Sequence, residues 1–79
     1  MPKPLWLVRR RSDGGWDYVS FLPTSGPIGV FTVEMREGSH MPPQLPLLKH
    51  RKRLPAHEAE RCCRKLQQEA GFQCSEPLF

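Results

Sequence analysis

The chain has 79 residues, 38% of them hydrophobic and 25% charged, with 12 Lys or Arg against 8 Asp or Glu and a formal net charge of +4. That length allows one domain with a thin core, since so short a chain buries only about 60% of the surface its unfolded form exposes, and it leaves little volume for an enclosed catalytic pocket. The odd number of cysteines, three, argues against a disulfide framework, and the basic excess favours an anionic partner without identifying one.

Residues 1–4 read as a Pro-containing arm. "LWLVRRR" (5–11) predicts a strand, "SDGG" (12–15) a tight turn, and "WDYVSFL" (16–22) a second strand. Together they make a hairpin, because Asp and Gly tolerate the positive φ that such turns demand. Trp16, Tyr18 and Ser20 share one face of the second strand and Val19 and Phe21 the other, while Trp6 and Val8 share a face of the first. The four-residue apolar run before three arginines is far short of a signal-peptide core or of the roughly 20 apolar residues of a membrane span. A reducing, cytoplasmic location is the resulting expectation.

"PTSGP" (23–27) predicts a loop. "IGVFTVEMREG" (28–38) predicts a strand in which Phe31, Val33 and Met35 alternate with Thr32, Glu34 and Arg36, one buried face and one wet. "SHMPPQLP" (39–46) holds three prolines and reads as an exposed, mobile connection. "LLKHRKRL" (47–54) fits an edge strand, where Lys and Arg discourage pairing with another chain.

The helix predicted over 55–70 has strong punctuation. Pro55 suits the first helical position and Gly71 the left-handed stop. Ala59, Cys62, Cys63, Leu66 and Ala70 form one apolar stripe, and Phe72 is placed to close the helix end by a hydrophobic contact. "FQCSEPLF" (72–79) is left as a short strand or a packed tail. The expected fold is therefore α+β over one domain, 1–79: an antiparallel sheet of three to four strands with one C-terminal amphipathic helix on its inner face.

Three constellations bear on function. Arg9, Arg10 and Arg11 with Lys49, Arg51, Lys52 and Arg53 form one positive surface if the first and fourth strands lie close, and Trp6, Trp16 and Tyr18 offer stacking platforms beside it. The plainer reading, in which the tryptophans are core and the charges a solvated edge, carries more weight. Cys62 and Cys63 are about 100° apart on a helix and cannot easily chelate one ion together, and no C-x-x-C pair accompanies them, so structural cysteines are expected and no metal. His40, His50 and His57 fall in a loop, a charged strand and a helix start without a paired carboxylate pattern. No enzyme and no cofactor are expected.

The residues "WLV" (6–8), "LKHR" (48–51), "EA" (58–59) and "GF" (71–72) resemble, in order and character, the W-L-V, L-K-x-R, E-A and Gly-Trp pattern of the cyanobacterial domain-of-unknown-function 1651 family. Phe72 stands where a Trp is usual and Cys63 near a common helical aromatic, both hydrophobic replacements. The resemblance implies a cytoplasmic protein of marine picocyanobacteria and supplies no activity, substrate or cofactor. By a looser analogy, strands followed by a helix with Arg and Trp on the sheet are similar to AP2-type and integrase arm-type domains, which read DNA with the sheet. Two functions follow. One is a non-enzymatic module whose basic sheet edge engages nucleic acid or an acidic protein surface. The other is an accessory subunit docking on a larger assembly through Trp6, Phe21 or the helix. The thin core makes a homo-oligomer or a host complex a natural companion to either.

Overall fold

In the computed structural model, which describes residues 3–25 and 31–77, β1 (Leu5–Arg10) turns at 11–15 into β2 (Trp16–Ser25). Gly14 takes φ +90, Arg11 N–H donates to the Gly15 carbonyl at 2.9 Å, and the Asp13 carboxylate accepts from Gly15 N–H at 3.0 Å. This is the expected turn, closed by an Asp side chain bonded two residues on. β3 (Phe31–His40) and β4 (Leu47–Pro55) follow, then α1 (Ala56–Glu69) and β5 (Gln73–Ser75). β2 runs through Pro23–Ser25, where a loop was expected, and β3 through Ser39 and His40. The expected strand start at Ile28–Val30 and the Gly26–Pro27 part of the loop lie outside the described residues.

The sheet has five strands in the order β4-β3-β2-β1-β5, with every neighbouring pair antiparallel. This corrects the expected three to four strands. β5 has three residues, too few for a periodic signal, and it is recruited by geometry. α1 leaves β4 at one sheet edge, and its 14 residues make about 21 Å of helix. The four strand gaps separating β4 from β5 make about 19 Å. The helix thus crosses the sheet and delivers the tail to the far edge, beside β1.

Pairing parity sorts the side chains. Leu7, Val19, Phe21, Val33 and Met35 face the helix, where Ala59, Cys63 and Phe72 complete the buried core and Leu5, Leu54, Cys62, Leu66 and Ala70 pack around it. The apolar stripe of α1 is the one its spacing predicts. Phe21 is 1% exposed, which overturns its expected place on a docking face: among the described residues it is the largest of the fully buried side chains. Pro55 is the N-cap of α1, at φ −57 and ψ 151, and not its first helical residue, because β4 pairing holds it extended opposite Thr32. Gly71 has φ +76, the expected stop, and Phe72 N–H reaches back to the Leu66 carbonyl at 3.2 Å.

Candidate nucleic-acid interface

The face of the sheet turned away from α1 is built in rows across the strands. One row runs Ser75, Trp6, Ser20, Arg36, Arg51, and the next runs Gln73, Val8, Tyr18, Gly38, Leu48. A third pairs Leu22 with Glu34 and Glu34 with Arg53. Trp6 and Tyr18 stack with ring centroids 5.6 Å apart and 29° between planes. The Tyr18 hydroxyl donates to the Leu47 carbonyl at 3.4 Å, across β3. That reach is possible because position 38 is glycine: a Cβ there would collide with both the Leu47 carbonyl and the Tyr18 ring. Burial raises the Tyr18 phenol above its ordinary 10.0, with the nearby Arg36 charge opposing.

The 41–46 segment is a turn closed by a 2.8 Å bond from Gln44 N–H to the Met41 carbonyl. Its end, with Trp6, Tyr18, Ser20, Arg36 and Leu48, encloses a groove of about 460 Å³. Leu45 on its rim is 89% exposed, and Leu47 and Leu48 are exposed as well. Glu34, with its side chain 14% exposed, takes two hydrogen-bonding ion-pair contacts from Arg36, at 2.6 and 2.8 Å. The Arg51 guanidinium stands 3.8 Å from its other oxygen, and Arg53 lies directly across from it. Two guanidinium groups therefore gather around one carboxylate.

The seven basic residues singled out from the sequence do not form one surface. β1 and β4 are separated by β2 and β3, so the condition on which a joint surface depended is not met. Arg51 and Arg53 belong to the outer face. Lys52 belongs to the helix side, in a groove with Leu54, Glu58, Arg61, Cys62 and Lys65. Lys49 is the extra residue of a bulge, since Glu37 pairs with His50 and Gly38 with Leu48, and it lines a cleft with Arg9, His50 and Phe72. At the other end, Arg9 donates to the Ala70 carbonyl at 3.0 Å and to Asp17 at 2.9 Å, and lies 4.7 Å over the Phe72 ring. It closes the C-terminal end of α1, where a cation complements the exposed carbonyls. Arg11 pairs with Asp13 at 3.1 Å and Asp17 at 3.6 Å, and Arg10 lies 5.6 Å over Trp16.

Two participants were not singled out from the sequence. Arg36 was assigned to the wet face of its strand, but only the register aligns it with Trp6 and Arg51. Gly38 carries no periodic signal at all. Cys63 is buried and Cys62 half-buried. Burial raises the Cys63 thiol above its ordinary 9.0, with Cys74 and Cys62 adding and Arg64 opposing. Among the described residues no group of three or more His, Cys, Asp or Glu is placed to hold a metal ion, and no helix is long and apolar enough to cross a membrane.

A family model described as a protein of unknown function (DUF1651) matches residues 5–77. No curated protein matches the chain, and no solved structure does.

Proposed function

Since the chain belongs to the DUF1651 family, whose description carries no activity, we propose a function from its surface: a non-enzymatic binding module whose outer sheet face engages an anionic partner, nucleic acid ahead of an acidic protein. The observation that carries this reading is the gathering of Arg36 and Arg51 around the single carboxylate of Glu34, with Arg53 on the same face of β4, on a face that the helix leaves uncovered and beside the Trp6–Tyr18 stack. Guanidinium groups suit phosphate because their forked donors match its oxygens. Of the seven basic residues expected at the interface, Arg51 and Arg53 are the main contacts and Arg10 an outlying one. Arg9, Arg11, Lys49 and Lys52 contribute through the general field. A cytoplasmic role in a cyanobacterium belongs to the same proposal.

Binding that neutralises two or three phosphates weakens with salt at a log–log slope of roughly −1.5 to −2 for single strands. Titrating a labelled mixed-sequence oligonucleotide at several salt concentrations tests this. Absence of binding to DNA and RNA at about 50 mM salt sinks the reading. A second reading, an accessory subunit docking on a larger assembly, draws support from Leu45 and Leu48, apolar side chains exposed together beside the same groove. It predicts that a tagged chain retains a stoichiometric protein partner after nuclease treatment and through high salt.

A further inference from the structure

Resting on the nucleic-acid reading, we infer that the groove beside Trp6 seats an unpaired nucleobase, so that the outer face takes single strands in preference to duplex. The groove of about 460 Å³ has an aromatic wall in Trp6 and Tyr18, apolar sides in Pro46 and Leu48, and polar groups in Ser20 and Arg36. That combination suits a base: π-stacking is indifferent to sequence, while a few polar groups meet the base edge. The cations are placed for the backbone of the same strand. In the row that runs from Ser75 through Trp6, Arg51 stands three strand gaps from Trp6, or about 14 Å, and Arg53 follows it on the same face of β4.

The charge balance of this face favours an anion, with Arg36, Arg51 and Arg53 on it against the carboxylate of Glu34. A duplex presents its base faces to neighbouring base pairs and offers none to the groove unless a nucleotide is extruded, at a cost in stacking and pairing. Of the other recesses among the described residues, the one of about 450 Å³ beside Trp16 has an aromatic wall, but the Arg10 guanidinium already lies over that ring. The groove between β4 and α1 has Lys52, Arg61 and Lys65 but no aromatic wall. The cleft at the end of α1 mixes both signs, with Asp17 and Glu37 among Arg9, Lys49 and His50.

The test uses the full chain with a short labelled oligothymidylate and a duplex of the same length, both at about 50 mM salt. The oligothymidylate is expected to bind about tenfold more tightly than the duplex, within the range of one stacked base. In a Trp16→Phe protein, which leaves Trp6 as the sole tryptophan, saturation with the oligothymidylate should quench the fluorescence and duplex should not. Trp6→Leu should bring single-strand affinity down to the duplex value, while Trp6→Phe, which keeps an aromatic wall, should retain most of the preference. The quenching measurement needs no change at Trp6, so it stands even where Trp6→Leu fails to fold. Equal, salt-dependent affinity for the two forms overturns the seated base and leaves the nucleic-acid reading intact. Binding to neither overturns both. A Trp6→Leu protein that folds and keeps the full single-strand preference, or an absence of quenching on saturation, also overturns the seated base.

Discussion

Along β2, Val19 and Phe21 face the helix at 3% and 1% exposure, while their sequence neighbours Tyr18 and Ser20 face away from it and are nearly as buried, at 3% and 7%. The two faces of the sheet reach similar burial at their centres by different means. The helix face is closed by an apolar stripe whose spacing matches its task, and its burial is hydrophobic and continuous. Among the described residues the outer face has no second layer of secondary structure. Its centre is closed by the Trp6 ring, the approach of β4 over Gly38, and the end of the Pro-rich turn, with the Tyr18 hydroxyl satisfied by a backbone carbonyl. One face is therefore a core, and the other is a small polar-edged patch surrounded by arginines. The proposed binding surface lies on the second.

Substitutions and pH separate the two faces. The largest effect is expected from Phe21→Ala, which leaves a cavity under the helix and should cost about 3–5 kcal/mol in denaturant unfolding, much or all of the stability of a chain this small. Gly38→Ala acts on the outer face by overpacking and should cost about 1–3 kcal/mol; Gly38→Ala combined with Tyr18→Ala should recover part of the loss attributable to the ring, which a double-mutant cycle measures. A cycle with no coupling would break the account of how the outer face closes.

Alkali draws on both faces at once. Cys63 and Tyr18 hold their protons more tightly when folded than when unfolded, with ordinary values of 9.0 and 10.0 raised by burial. Their contribution is therefore complete below those ordinary values and is lost as pH climbs through them towards the raised, folded values. Unfolding curves should be flat in this respect below pH 9 and weaken above it, first through Cys63 and then through Tyr18. Tyr18→Phe should remove the later part of that decline. The smallest effect on stability is expected from Arg51→Gln with Arg53→Gln, within about 0.5 kcal/mol, as for exposed side chains away from the core. The same pair should abolish most of the salt-dependent binding, and that contrast between stability and binding is the sharpest separation of the two faces.

Much of the helix face was legible in the sequence. The alternation of Val33 and Met35, the stripe from Ala59 to Ala70, and the Asp-Gly-Gly turn are local patterns, and the helix end at Gly71 follows from a conformation that glycine adopts without a Cβ penalty. Less of the outer face was legible. Alternation assigns Trp6 and Arg36 to a face of their own strands, yet it cannot say which residue of another strand stands beside them.

The sequence by itself determined the hairpin, the wet and dry sides of β3, the helix with its apolar stripe, and the charged edge strand, because these depend on neighbours within a few residues. Only the tertiary structure decided that a fifth strand joins at β1, that β1 and β4 stand apart, that Arg9 closes the helix and leaves the basic surface to Arg51 and Arg53, and that Tyr18 is buried without a helix over it. Those outcomes depend on the length of α1 relative to the width of the sheet and on the pairing register. Both are relations between residues far apart in the chain, and no local pattern encodes them.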